Sequence, residues 1–288
     1  MNAIETEGLL KTYRGKRWAR VEALKGVDLV VKRGEVFGFL GPNGAGKSTT
    51  IKLLMGLITP SGGSAAVMGT DVRSHLARRK VGYLPENPAF YDYLAAEEYL
   101  GFVGRSFGME PALLGERSES ILKRLELWDA RKRPIRGYSK GMVQRLGIAQ
   151  TLLHDPDLYV LDEPMSGLDP VGRALVKTLI TELKAQGKSV FFSTHVTADV
   201  EEVCDRVGII VNGVLKRVER VEDILTSSVE SYELRYRLAG AEERRERVAA
   251  SELSAALCSL RERGAELLLV EPCRKNLEDF FLATIKGD

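Results

Sequence analysis

Two segments at the start of the chain, Ala3 to Tyr13 and Val21 to Lys32, alternate apolar and polar positions as antiparallel strands do around a polar turn. Glu35 to Leu40 then reads as a short buried strand, and a helix is predicted from Thr49 through Leu57. The turn-rich stretch Thr59 to Thr70 predicts a small hairpin, and Lys80 to Pro85 a brief apolar strand. From there to Asp155 the pattern changes: amphipathic helical segments such as Leu94 to Phe107 and Ser118 to Trp128 replace strands, which predicts a helical insertion inside an α/β domain. Leu158 to Leu161 and Ser189 to Phe192 are nearly continuous apolar runs, the pattern of parallel strands covered on both faces. Asn212-Gly213, between Gly208 to Val211 and Val214 to Val218, predicts a hairpin turn. Beyond Val221, strands are expected at Tyr232 to Leu238 and Ala265 to Val270, and helices at Ser251 to Arg263, stopped by Gly264, and at Asn276 to Ile285, capped by Asn276. The charged run Glu242 to Arg247 reads as a solvated helix face or loop.

Between the predicted strand Glu35 to Leu40 and the helix that follows lies the stretch with the most chemistry, GPNGAGKST, Gly41 to Thr49. It fills every fixed position of a P-loop and sits between a strand and a helix, as that motif requires. Gly41, Gly44 and Gly46, with Pro42, Asn43 and Ala45 between them, allow the backbone to turn its N–H groups toward the β- and γ-phosphates of a nucleoside triphosphate. Lys47 reaches those phosphates as a point charge, Ser48 is placed to ligate Mg²⁺, and the helix from Thr49 aims its positive end at the anion.

Asp162 and Glu163 close the strand LYVLDEP, on the edge of an α/β sheet where ligands bind. Neighbouring strand residues project oppositely, so Asp162 can hold the Mg²⁺ shell while Glu163 reaches a water beside the γ-phosphate. His195 follows the next apolar strand and Ser193-Thr194, on the same edge, and is read as a γ-phosphate contact. Tyr13 either stacks on adenine or packs within its strand. Around it Lys11, Arg14, Lys16, Arg17 and Arg20, with Trp18, read as a solvated hairpin, the alternative being a phosphate- or lipid-facing patch. Phe90, Tyr91, Tyr93 and Phe102 crowd the start of the helical insertion, either as interface anchors or as a small core.

Composition narrows the partners. In 288 residues, 44% of them hydrophobic, there is material for one large core and a small second one. A formal net charge of +2 does not argue for nucleic acid. Cys204, Cys258 and Cys273 are scattered without metal-ligand spacing, as inert thiols in a reducing cytosol would be. No run of about eighteen apolar residues occurs, so a membrane role is expected only through a partner.

The order GPNGAGKST, YSKGMVQRL at Tyr138 to Leu146, LYVLDEPMSGLDP, and STH at Ser193 to His195 resembles an ATP-binding-cassette ATPase over most of residues 3 to 220. That resemblance implies ATP and Mg²⁺ as ligands, and a P-loop fold with a mostly parallel core sheet, an antiparallel N-terminal subdomain, an inserted helical subdomain and a small C-terminal α/β appendage. It implies that the signature segment closes on ATP held by the opposite protomer. Ser139 and Gly141 match its key positions, Ser139 as a helix N-cap and Gly141 by allowing close approach, whereas Tyr138, Lys140 and Met142 depart from the common letters. Tyr13 then resembles the adenine-stacking aromatic, Asp169 the aspartate linking the two sites, and His195 the switch histidine. Glu86 stands where glutamine is usual.

The implied organisation is a nucleotide-binding domain over residues 1–221, with its helical subdomain about 87–155, and an accessory domain over 222–288. The tail, closing on NLEDFFLATI, resembles those of drug, lipid and polysaccharide exporters. The expectation is an ATPase subunit, homodimeric or paired with a related ATPase, cytoplasmic and held on the inner face of the cell membrane by permease subunits that dock on the helical subdomain. A soluble cassette ATPase of translation or repair, or a nucleotide-gated regulator, is the alternative. Double cassettes, zinc cysteines and long coiled coils are not seen, and an intact Glu163 argues for catalysis.

Overall fold

Phe37, Phe39 and Phe191 show where the main core lies: their rings meet at 5.9 and 5.4 Å between centroids, on adjacent strands of a central sheet. The computed structural model describes residues 2–14, 20–226, 231–238, 243–273 and 276–286. Lys16, Arg17 and Trp18 of the basic turn, and Glu242, lie outside the described residues. The chain divides into two compact units, Met1–Val218 and Glu219–Asp288.

In the first unit β1 (Asn2–Arg14) and β2 (Arg20–Lys32) pair antiparallel, and β4 (Gly62–Val67) and β5 (Thr70–Asp71) extend the same sheet in the order β2-β1-β4-β5. The second sheet has the order β10-β9-β3-β8-β7-β6, with β3 (Val36–Leu40), β6 (Val81–Leu84), β7 (Leu158–Asp162), β8 (Ser189–Thr194), β9 (Arg206–Val211) and β10 (Val214–Arg220). The neighbours β9, β3, β8, β7 and β6 all pair parallel. All residues of β3, β7 and β8 are buried, which explains why they read as nearly continuous apolar runs.

One hydrophobic cluster joins Ile4, Leu9 and Leu29 of the antiparallel sheet to Phe37, Val160 and Phe191 of the parallel one. Ile51 and Leu53 of helix α1 (Lys47–Leu54) belong to it too. Each such side chain stabilises the fold by about 1.5–3 kcal/mol relative to exposure, so the helix behind the P-loop is anchored on both sides. Helix α1 begins two residues earlier than the periodicity predicts, because the P-loop turn ends at Gly46, and stops at Leu54 because Gly56 takes a left-handed φ of 60° after the Met55 cap.

The helical insertion is formed by α2 (Ala96–Ser106), α3 (Pro111–Arg124) and α4 (Lys140–Leu152). Between β7 and β9 stand α5 (Pro170–Ala185) and α6 (Thr197–Val203). The buried carboxylate of Asp199 ties these two together, accepting from Arg173 at 2.9 Å on each oxygen, with Lys177 at 3.2 Å.

The second unit opens with α7 (Val221–Thr226) and contains β11 (Ser231–Arg237), β12 (Glu243–Ala249) and β13 (Glu266–Cys273) in the order β12-β11-β13, all antiparallel, with α8 (Leu253–Glu262) and α9 (Leu277–Lys286). Leu234, Tyr236, Val248 and Leu260 form its buried centre. The charged run that reads as a solvated helix face or loop is instead an edge strand, β12, paired residue for residue with β11 from Ser231↔Ala249 to Arg237↔Glu243. Only Val248 on it is buried, so no apolar alternation marks the strand, and its charges protect an open sheet edge.

Candidate active site

Parallel pairing brings four strand ends to one edge of the sheet. Leu40 lies opposite Thr194, Asp162 opposite Ser193, and Leu84 opposite Leu161. The P-loop after β3, the Ser193-Thr194-His195 turn of β8, the Asp162-Glu163 end of β7 and the loop carrying Glu86 after β6 are therefore neighbours in space although far apart in sequence.

Between them is an open cleft of about 290 Å³ lined by Pro42 through Thr49, Ala23, Glu86 and Glu163. Gly46, the cap residue of α1, has φ 112°, a conformation open to glycine and strained for any other residue. A Cβ there would also meet the Ala23 carbonyl at 2.9 Å. The cleft contains a cation in Lys47, the hydroxyls of Ser48 and Thr49, and a helix N-terminus, the donor set a polyphosphate requires.

Lys47 is buried. Its Nζ donates to the Gly41 carbonyl at 2.7 Å and lies 3.5 Å from Glu163 Oε1. His195 Nδ1 lies 3.0 and 3.1 Å from the two Glu163 oxygens. Glu163 is thus held between a buried ammonium and a half-exposed imidazole, at the cleft wall.

The backbone under it is unusual. Glu163 has φ 49°, in the left-handed region, and its N–H points to both the carbonyl and the hydroxyl of Ser193, at 3.2 and 3.0 Å. Ser193 Oγ in turn donates to Asp162 Oδ1 at 2.5 Å. One buried serine hydroxyl therefore orders both acids of the strand end. Burial, and then the Asp162 charge, push the Tyr83 phenol up to about 12, which keeps it neutral beside this carboxylate.

Other expected residues stand apart from the cleft lining. Tyr13 is exposed on β1 with the Lys11 ammonium 5.2 Å over its ring. Ser139 caps α4, its Oγ accepting from the Met142 N–H at 3.3 Å. Lys140, Gly141 and Met142 form the first turn of that helix. A Cβ built on Gly141 would meet nothing closer than 3.6 Å, so packing within the chain does not require glycine there. Asp169 caps α5, accepting from Gly172 N–H at 2.8 Å. Sequence reasoning passed over Ser193 and Gln144 as site residues. The signal for Ser193 is a hydroxyl directly after the apolar run Val190 to Phe192. For Gln144 it is a buried amide on α4 that donates to the Glu163 and Pro164 carbonyls at 3.2 and 3.1 Å.

A strand-loop-helix phosphate cradle with two acids at the end of β7, one strand removed from β3 in the same parallel sheet, defines a P-loop ATPase. Residues 24–166 match the family model described as ABC transporter. The chain is 39% identical to an uncharacterized ABC transporter ATP-binding protein of Synechocystis, over 99% of its own length and 85% of that protein. It is 40% identical to the daunorubicin/doxorubicin resistance ATP-binding protein of Streptomyces peucetius, over 85% and 73% of the two chains. A solved structure described as the dimer of a bacterial ABC transporter cassette is similar with a TM-score of 0.71 and 25% identity, covering 76% of this chain and 98% of that one. The chain belongs to the ATP-binding subunits of ABC transporters. It is an ATPase of that family, whose members bind ATP, form dimers and work with membrane permease subunits. Among the described residues, no helix is long and apolar enough to cross a membrane.

Proposed function

We propose that this subunit powers export through separate permease subunits, with Glu163 orienting the water that attacks the γ-phosphate of ATP. The observation that carries this reading is the Glu163 carboxylate, set in the P-loop cleft between Lys47 at 3.5 Å and His195 at 3.0 Å. An acid in that position can accept a proton from water while the imidazole fixes its orientation. Lys47 and the P-loop residues Gly41 to Thr49 bind the phosphates, and Tyr13, whose ring is exposed, stacks on adenine. His195 contacts the γ-phosphate.

Ser48, Asp162 and Glu86 are the oxygen donors for Mg²⁺. Among the described residues no group of three or more His, Cys, Asp or Glu side chains is poised to hold a metal. Ser48 and Glu86 line the cleft and Asp162 is buried directly before Glu163 at the end of β7; hydroxyl and carboxylate oxygens fit an ion that takes few protein ligands and completes its shell with substrate phosphates and water. When bound, Mg²⁺ neutralises developing charge on the phosphate oxygens.

Ser139, Lys140, Gly141 and Met142 at the start of α4 close on ATP held by a second protomer, with Asp169 linking the two sites. Support comes from Gly141, whose open surroundings leave its glycine unexplained by packing. Residues 1–221 form the nucleotide-binding domain and 222–288 an accessory domain. The subunit works as a homodimer or with a related ATPase, peripheral on the cytoplasmic face of the cell membrane. The drug-resistance relative supports the exporter assignment.

The test is Glu163→Gln, which retains shape and removes the base. Turnover should fall by about 10²–10⁴-fold while ATP and Mg²⁺ binding persist, and size-exclusion chromatography with MgATP should show dimers accumulating. A variant that hydrolyses at the parent rate, or stays monomeric, overturns the assignment.

A further inference from the structure

Gln144 is almost wholly buried, with 4% of its surface exposed, on the second turn of α4. Its Nε2 donates to the carbonyls of Glu163 and Pro164, at 3.2 and 3.1 Å. Both partners are pure acceptors, so the amide nitrogen and not its oxygen must face them. The Glu163 carbonyl also accepts from the Ser166 N–H at 3.1 Å.

These bonds fall on the one acid of the cleft whose backbone is left-handed, at φ 49°. Such a conformation persists in a residue with a side chain only when its surroundings fix it. On the N–H side Ser193 does so, through its hydroxyl at 3.0 Å and its carbonyl at 3.2 Å. On the carbonyl side the side-chain donor is Gln144. A turn of this peptide would swing the carboxylate away from Lys47 and His195.

We infer that Gln144 is a positioning residue for hydrolysis, fixing the Glu163–Pro164 backbone so that the Glu163 carboxylate stays in the cleft. It touches no reacting atom. Because it stands on α4, the helix that Ser139 caps, it also ties that helix to the acid of its own chain. The inference rests on the reading of Glu163 as the base.

The test compares the full-length parent, Gln144→Met and Gln144→Asn. Methionine retains the length and volume but not the donor; asparagine retains the amide but withdraws it by one methylene. Steady-state ATPase assays should show kcat at least tenfold lower in Gln144→Met, a smaller loss in Gln144→Asn, and KM for ATP within about twofold, since misplacement of about 1 Å can cost on the order of 10²-fold. In a Glu163→Gln background, Gln144→Met should still give the MgATP-dependent dimer. Parent-like kcat in a folded Gln144→Met overturns the inference. So does loss of the dimer in the double variant, which would make Gln144 a support of the α4 N-terminus instead. If Gln144→Met fails to fold, Gln144→Asn decides on the same readouts, and failure of both would assign the residue to the fold. An inert Glu163→Gln beside a fully active Gln144→Met defeats this inference alone; an active Glu163→Gln defeats the base reading beneath it.

Discussion

His195 and Glu163, 32 residues apart in the chain, meet with the imidazole Nδ1 3.0 and 3.1 Å from the two carboxylate oxygens. The imidazole is about half exposed and the carboxylate almost covered, so the histidine forms the solvent-side wall of the acid. Thr194 Oγ1, accepting from the Val196 N–H at 3.1 Å, shapes the turn that aims it.

His195→Ala should therefore reduce ATP turnover by about 10–100-fold through loss of orientation, less than loss of the base itself, with KM for ATP changed little. Glutamine at 195 should restore part of the rate, because its amide can still donate to Glu163. Steady-state ATPase assays check this. An alanine variant at the parent rate would show that the 3.0 Å contact does no work in turnover.

His154 offers a stability prediction. Its ring stacks on Phe107 with centroids 3.9 Å apart, and its Nε2 lies 3.2 Å from the Val81 carbonyl, so that nitrogen carries the proton. Nδ1 is buried without a partner. Protonation would place a second N–H against nothing, and burial accordingly pulls the pKa below the ordinary 6.5, with the Val81 bond opposing. The unfolded chain then binds the proton more readily than the folded one. The stabilisation is complete above about pH 6.5 and is lost as pH falls toward the folded value, at no more than about 1.4 kcal/mol per pH unit. Thermal unfolding at pH 7.5 and pH 5.5 should show a larger drop in Tm for the parent than for His154→Gln, which retains a donor but does not titrate. Equal drops would sink the assignment.

Much of this was legible in sequence for a physical reason. The P-loop, the Asp162-Glu163 end and His195 each follow a short apolar run, and a buried parallel strand allows its ligand-bearing residues only at its end. The register that brings Leu84, Leu161, Ser193 and Leu40 to one edge is not local information, so the placement of these residues on one edge is legible while the direct contact of Glu163 with Lys47 and His195 is not. Gln144 and Ser193 were hidden because their partners are backbone atoms and side chains elsewhere in the fold, which no spacing rule records. The edge strand Glu243–Ala249 was hidden because protective charge erases the period-two pattern that would have revealed it.

The aromatic crowd at the helical insertion separates into two parts. Phe90 packs edge-on against Tyr99 at 4.8 Å and is partly covered. Tyr91, Tyr93 and Phe102 remain 55%, 66% and 50% exposed, with Tyr91 6.0 Å from Tyr93 and 6.3 Å from Phe102. Exposed, mutually packed aromatics have the composition of interface anchors. Cysteines placed at Tyr91 or Tyr93 should crosslink to a cytoplasmic helix of the permease subunit. Crosslinks formed only from positions beyond Val221 would overturn docking on this surface.

Glu86 lines the same P-loop cleft as Glu163, exposed, on the loop that follows β6. Its carboxylate adds negative charge to a site built for phosphates. Two like charges a few ångströms apart near a protein surface repel by on the order of 1–4 kcal/mol, and solvent screening places an exposed side chain toward the lower end. Without metal this interaction opposes ATP. With Mg²⁺ present the same carboxylate is a hard oxygen donor, directly or through water, so its contribution changes sign. Glu86→Gln should then bind ATP about tenfold more tightly in chelator, since each 1.4 kcal/mol is about a factor of ten, and more weakly or equally in excess Mg²⁺. Nucleotide titrations of both proteins under both conditions decide the matter. Equal shifts with and without metal would mean that Glu86 faces the cleft without sensing the ion.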